Sequence, residues 1–300
     1  MDSSPERDRA AAGGAHARAM APPSPPSPSS VASRLAAAVV APVRRAAHAA
    51  HMRYKLAFDE AELRLVPRLC PRDRAFLDVG ASEGIYSWVA AQVASRVIAV
   101  EPNPAVAAAL TRVLGDRVEV IPTALSDRSG IVTLRVPVHA GRPLTSRGTL
   151  DATGHGAAEQ IAIEVPACRL DDLELPPLGM IKIDVEGHEA AVLAGAFTTL
   201  VRDRPVLLVE IEERHGAGAT AEVPRMLADL GYDGAFLLDG RLTPVRDFHP
   251  EVHQRPEHAK PPGGPRRGLY INNFVFTPRA RATARGSRAG SSRPPRAPAP

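Results

Sequence analysis

The chain has 300 residues, 44% of them hydrophobic, with two cysteines and a formal net charge of +4. That composition supplies one sizeable core and excludes a disulfide framework. No apolar run approaches the roughly 18 residues needed to cross a bilayer. The charge is unevenly placed: residues 1–53 carry seven arginines against three acids and residues 279–300 carry six arginines and no acid, so the body between them is acidic. An acidic body argues against a folded nucleic-acid surface.

Residues 1–53 read as a disordered, partly helical extension. Pro22–Pro28 is Pro/Ser-rich, and 31–52 is compatible with a helix. Asp59 to Leu69 places Leu63, Val66 and Leu69 at helical spacing. Alternation of strand and helix begins at Ala75. Strands are expected at Ala75–Val79, Val97–Glu101, Val118–Ile121, Met180–Asp184 and Val206–Ile211, with helices over 85–93, from Asn103-Pro104, over 188–200 and over 221–230. Tyr232–Leu238 and Leu269–Phe276 leave no room for a helical crossover, so the last strands should run antiparallel on a parallel sheet. Ile131–Val136 and Ile161–Val165 alternate as a hairpin. Residues 139–158 and 240–267 are candidate lids. The folded domain should cover 54–278, followed by a disordered Arg-rich tail. Two cysteines, too few for a disulfide framework, and no membrane-spanning run fit a cytoplasmic protein.

Chemistry concentrates in two stretches. The first runs from Ala75 to Gly84. There Asp78 ends a strand, Gly80 turns the chain and Gly84 opens a helix, while Glu101 ends the next strand. A carboxylate at that second strand end suits two ribose hydroxyls. A dinucleotide is disfavoured, because Gly80-Ala-Ser82-Glu-Gly84 lacks the G-x-G-x-x-G spacing and two carboxylates would repel a pyrophosphate. The same five residues match the G-x-S-x-G elbow of hydrolases, but that elbow follows several central strands, whereas this one follows the first. A cationic, phosphate-free cofactor suits the residues best, with Ser126 and Asp127 placed for an adenine amino group.

The second stretch, Ile181 to Glu189, carries Lys182, Asp184, Glu186, His188 and Glu189. Lys182 is one of three lysines in an arginine-writing chain. It shares a side of its strand with Asp184. Glu210 and Glu212 end the following strand. We take Asp184, Glu186, Lys182, His188 and Glu210 as candidate catalytic residues. Asp78, Gly80, Ser82, Gly84, Glu101, Ser126 and Asp127 are candidate cofactor contacts. No spacing calls for a metal.

Taken in order, Leu77-Asp-Val-Gly80-Ala-Ser-Glu-Gly84, Val100-Glu-Pro-Asn-Pro104, Ala124-Leu-Ser-Asp-Arg-Ser-Gly130, Arg169-Leu-Asp-Asp-Leu173, Ile181-Lys-Ile-Asp-Val-Glu-Gly-His-Glu189 and Pro205-Val-Leu-Leu-Val-Glu210 resemble the FkbM family of S-adenosylmethionine-dependent methyltransferases. The family more often has Asn where this chain has Ser82. The resemblance implies a Rossmann-like class I α/β fold, a mostly parallel seven-stranded sheet with an antiparallel last strand and helices on both faces. It also implies S-adenosylmethionine as cofactor and methyl transfer to a hydroxyl of a small molecule, sugar or glycan. Nucleic acid and stable membrane insertion are not expected.

Overall fold

The computed structural model describes residues 31–58, 61–151, 159–259, 261 and 268–280. The segments expected to be disordered, 1–30 and the tail beyond 280, lie outside the described residues, as do 152–158 and most of 260–267 at the carboxyl ends of the two candidate lids. The chain divides into two units, Met1–Pro42 and Val43–Pro300. The described part of the first is helical. The second holds the sheet and the site.

In chain order, helix α1 (Val31–Phe58) and the short α2 (Val66–Leu69) precede β1 (Ala75–Val79), α3 (Ile85–Ala90), β2 (Arg96–Val100), α4 (Pro104–Leu114) and β3 (Glu119–Ile121). An inserted unit follows: β4 (Ala124–Leu125), β5 (Gly130–His139), β6 (Arg142–Pro143) and β7 (Gln160–Cys168). The alternation resumes with β8 (Leu178–Ile183), α5 (Glu189–Ala194), α6 (Phe197–Asp203), β9 (Val206–Glu210) and α7 (Ala219–Asp229). It closes with β10 (Tyr232–Leu238), β11 (Arg241–Pro244), α8 (Pro250–His253) and β12 (Asn273–Pro278).

The main sheet runs β11-β10-β12-β9-β8-β1-β2-β3. The five strands from β9 to β3 are parallel, and β12 is inserted antiparallel between β9 and β10. The strand order reverses between β1 and β8, so a crevice opens beyond their carboxyl ends. Both strands are buried throughout, because helices cover both sheet faces. Leu77, Val79, Ile181 and Ile183 pack on one face, and Phe76 and Met180 on the other. Asp78 and Lys182 are register partners. As the pleat alternates, they share the side of Phe76 and Met180.

The sheet has eight strands rather than the seven expected. The extra one, β11, comes from a stretch read as part of a lid. Asp239 and Gly240 adopt φ +49° and +76°, the two left-handed residues of a tight hairpin, and fold Arg241–Pro244 back onto β10. The expected hairpin is present and longer, with Val132 opposite Val165 and Leu134 opposite Ile163, inside a separate four-stranded sheet. The single helix expected over 188–200 is two. Gly195 lies at the break, where a Cβ would sit 2.0 Å from the Ser126 carbonyl oxygen. The Asp171 carboxylate then accepts from the Thr198 and Thr199 amides, 2.9 Å each, and caps the second helix.

Candidate active site

The turn after β1 is bare backbone of necessity. Gly80 has φ +77°, and a Cβ there would lie 1.8 Å from the Asp184 carbonyl oxygen. Gly80 and Ala81 both donate to the Val100 carbonyl, at 2.9 and 3.2 Å, which ties the turn to the end of β2. Ser82 also has positive φ, +48°. Asn tolerates that conformation better than most residues, a physical reason for it to be usual at this position. Gly84 (φ +78°) starts α3 against Leu110 and does not reach the crevice.

Glu101 follows β2 and is buried. Its Oε2 accepts from the Ser82 amide and its Oε1 from the Asn103 amide, each at 2.9 Å. Asn103 in turn caps α4 through the Ala105 and Val106 amides. Burial pushes the Glu101 carboxyl up to about 7, against the lowering effect of the two amides. Each oxygen has a second lone pair. Asp78 is engaged internally: it accepts from the Ser87 amide at 2.9 Å and the Ser87 hydroxyl at 2.6 Å, so it anchors α3 while lining the crevice. Burial raises it to about 6.

The crevice has two chambers that share Gly80, Ser82, Ser146, Asp184 and Glu186. The smaller, about 40 Å³, is walled by Val100, Glu101, Leu125, Leu134, Val185 and His188. His188 therefore faces the Glu101 side, in the chamber that Asp184 and Glu186 also line, apart from Lys182 and Glu210. Its Nε2 lies 2.9 Å from Ser126 Oγ, and Ser126 donates to Asp127 at 3.1 Å. Ser126 is buried and Asp127 half exposed, and neither lines the chamber; they act on it through His188. Burial lowers the His188 imidazole pKa.

The larger cleft, about 300 Å³, contains Lys182, Asp184, Glu186 and Glu210, bringing four of the five candidate catalytic residues together. Lys182 is fully buried. Its Nζ donates to Asn273 Oδ1 at 3.0 Å and lies 3.7 Å from Asp184, 4.0 Å from Glu210 and 5.0 Å from the Tyr86 ring centre. Burial, with Asp184 beside it, pushes Glu210 well above the usual carboxylate range, despite Lys182. Glu186 has left-handed backbone, φ +51°, and its carbonyl accepts from Thr149 at 2.6 Å. Its carboxylate stands 3.0 Å from His215 Nε2 and 3.8 Å from Arg214 without the alignment of a hydrogen bond at Oε2. Burial opposes protonation of His215, but Glu186 outweighs it and raises the imidazole. Glu189 is the first residue of α5, buried and turned back on the Gly187 amide.

Several cleft residues were not legible beforehand. Arg214 grips Glu212 with two nitrogens, and Tyr270 donates to the same carboxylate at 2.5 Å. Burial would raise Glu212, yet these partners hold it down at about 2. Asn272 donates to Glu210 at 2.7 Å and to Glu212 at 3.3 Å. Lys55, which pairs with Glu83 at 2.8 Å, and Leu144, Arg147 and Pro261 complete the rim. The last three come from the two candidate lids. The one available signal was the pair Asn272-Asn273 entering an otherwise apolar strand. The candidate lid 240–267 contains the short α8, and buried His253 stacks on Phe248. Among the described residues no group of three His, Cys, Asp or Glu side chains is placed to hold a metal ion, and no helix is long and apolar enough to cross a membrane.

The cradle fits S-adenosylmethionine. Bare backbone at Gly80 admits close approach, and Glu101 offers one free lone pair on each oxygen toward two vicinal hydroxyls. The acids of the adjoining cleft outnumber its cations, which suits a sulfonium and an ammonium.

Comparison with known proteins agrees with the motif order. The methyltransferase FkbM domain model matches residues 78–233. The chain is 29% identical over 175 residues to the hexuronic acid methyltransferase AglP of Haloferax volcanii; the match covers 56% of this chain and 66% of AglP, just under two thirds of that relative. Among solved structures, the methyltransferase FkbM from Methylobacillus flagellatus aligns at TM-score 0.42 and 14% identity, over 69% of this chain and 44% of that one. Precorrin-6y C5,15-methyltransferase from Geobacter metallireducens aligns at 0.37 and 14%, over 72% and 87%.

Proposed function

The chain belongs to the FkbM methyltransferase family, and from that premise we propose that it is an S-adenosylmethionine-dependent methyltransferase acting on a hydroxyl of a sugar, glycan or natural product. The observation that carries the reading is the division of one crevice: Glu101 and bare backbone on one side, and a buried Lys182–Asp184–Glu210 cluster on the other. S-adenosylmethionine, when bound, supplies an activated methyl group on a sulfonium.

This chain's residues would do the following. Glu101 accepts both ribose hydroxyls, the Gly80 turn admits the cofactor against the backbone, and His188, steadied by Ser126 and Asp127, closes the adenosine chamber. Asp184 and Asp78 face the positive charge of the cofactor. Glu210 accepts the proton of the acceptor hydroxyl, since its raised proton affinity suits a base working near neutrality. Lys182 steadies the negative charge that Asp184 and Glu210 share. Glu212, fixed by Arg214 and Tyr270, forms the far wall against which the acceptor is aligned, and alignment supplies a large part of the rate.

A sugar is favoured as acceptor because the cleft offers many fixed hydrogen-bonding groups beside apolar surface on which a ring can lie. Its acidic floor disfavours a polyphosphate such as nucleic acid. The test is calorimetric titration of the full chain with S-adenosylmethionine, S-adenosylhomocysteine and NAD, followed by transfer of labelled methyl to a panel of glycosides. Micromolar binding of the adenosyl ligands alone, and label in a glycoside, are expected. Binding of NAD alone, or of none, overturns the proposal.

A further inference from the structure

Lys182 is buried among acids, yet its ammonium lies closer to a neutral amide than to Asp184 or Glu210. The ammonium donates to Asn273 Oδ1 at 3.0 Å and to the Ile183 carbonyl at 3.4 Å, while Asp184 and Glu210 stand off at 3.7 and 4.0 Å. A charged pair free to close does so at roughly 2.8 Å. Here a neutral amide takes that place, and it does not end the chain of contacts. Asn273 Nδ2 donates to Asn272 Oδ1 at 3.4 Å, and Asn272 Nδ2 donates to Glu210 Oε1 at 2.7 Å and Glu212 Oε1 at 3.3 Å. All these donors run one way, from ammonium through two amides to two carboxyl groups. The ends dictate the amide orientations: the ammonium only donates, and Glu212, the carboxylate held low, only accepts. Asn273 is 1% exposed, and both asparagines lie outside residues 78–233 that match the family.

We propose that Asn273, acting with Asn272, is a positioning residue that holds the Lys182 ammonium off the Glu210 carboxyl, so that Glu210 remains open to take the acceptor proton. This rests on the reading of Glu210 as that proton acceptor. If Lys182 closed on Glu210, the carboxylate would be held ionised and blocked by the cation. The amide relay satisfies the ammonium and orients Glu210 through Oε1. An aspartate at 273 would accept from Lys182 but could not donate onward. An aliphatic side chain would do neither.

Other charged or titratable groups bear on the same cluster. They are Asp78 from β1, Tyr86 from α3, Asp184 and Glu186 beyond β8, Glu212 and Arg214 beyond β9, and Tyr270 before β12. Substitution at 273 leaves all of them in place, so a change in Glu210 titration reports the relay.

The test follows the Glu210 carboxyl by carbon NMR in the full chain labelled at glutamate, with Glu210→Gln assigning the signal. Asn273→Leu should let the ammonium close on Glu210 and move its titration down by about one pH unit, whereas Asn273→Asp should move it up by about as much. If the leucine variant does not fold, Asn273→Ser removes the amide with less change of bulk and carries the same expectation. Midpoints that stay in place, or that move in the same direction for both kinds of variant, overturn the proposal. Wild-type S-adenosylmethionine affinity, measured alongside, separates the two readings. Its absence sinks the methyltransferase assignment and leaves the titration result standing on its own.

Discussion

The two chambers of the crevice are built on different principles. The small one is made largely by backbone: the Gly80 bend and the Ser82 and Asn103 amides on Glu101, with the Ser126 side chain reaching His188 from 62 positions away. Its residues come from the ends of β1, β2 and β8 and from the inserted unit, and all lie inside the family match. The large one is made by side chains in charged contact, drawn from α1, the 139–151 connection, β8, β9 and the approach to β12. A cofactor that is always the same can be held by fixed backbone. A variable acceptor is met by side chains on segments that vary at little cost to the sheet. The comparison teaches that the smaller chamber lies wholly inside the family match, whereas the larger also draws on Lys55 and on residues 259–272 outside it.

The sharpest way to break that division is Gly80→Ala. A Cβ in a left-handed turn, 1.8 Å from a carbonyl oxygen shared by both chambers, should cost about 3 kcal/mol or more and abolish cofactor binding. Denaturant unfolding and calorimetry read both, and unchanged affinity in the folded variant would contradict the cradle.

Glu210→Gln should spare cofactor affinity and lower methyl transfer on the order of 10²–10⁴-fold. Equal loss of both would erase the boundary between the chambers. Because burial holds Glu210 protonated above the usual range, wild-type turnover should rise with pH as that proton leaves.

Glu101→Gln tests the other half. Its ionised form is the one that accepts four donors, and its carboxyl sits at about 7. Cofactor affinity should therefore rise from pH 6 to pH 8 in the wild type. The variant should bind about ten- to a hundredfold more weakly, with a flat pH profile. A wild type without pH dependence would refute the ribose role.

The smallest effect belongs to His188→Ala. If His188 serves the adenosine chamber, cofactor affinity falls about threefold and turnover at saturating cofactor is retained. A large fall in turnover alone would return His188 to the catalytic group.

How far the site could be read in advance follows from the same contrast. Asp78, Gly80, Glu101, Asp184, Glu186 and Glu210 were legible because each ends a strand whose apolar run is visible, and strand ends on a doubly wound sheet converge. Lys182 and Asp184 were placed on one side by the two-residue period, and the structure has them 3.7 Å apart. His188 was grouped with its sequence neighbours; the turn through Glu186 and Gly187, both at positive φ, swings it to the other chamber. Arg214, Tyr270 and the two asparagines sit in no periodic pattern, and their importance comes from meeting residues about 60 to 90 positions away.

By itself the sequence determined the alternating strands and helices, the obligatory glycine turn and the set of acids at the strand ends, because these depend on local periodicity and on backbone conformations that neighbours alone impose. Tertiary structure decided which acids pair, which are pushed toward protonation, that β11 joins the sheet, and that two asparagines link Lys182 to Glu210. Those outcomes depend on burial and on distances between segments far apart in the chain, and no local pattern encodes either.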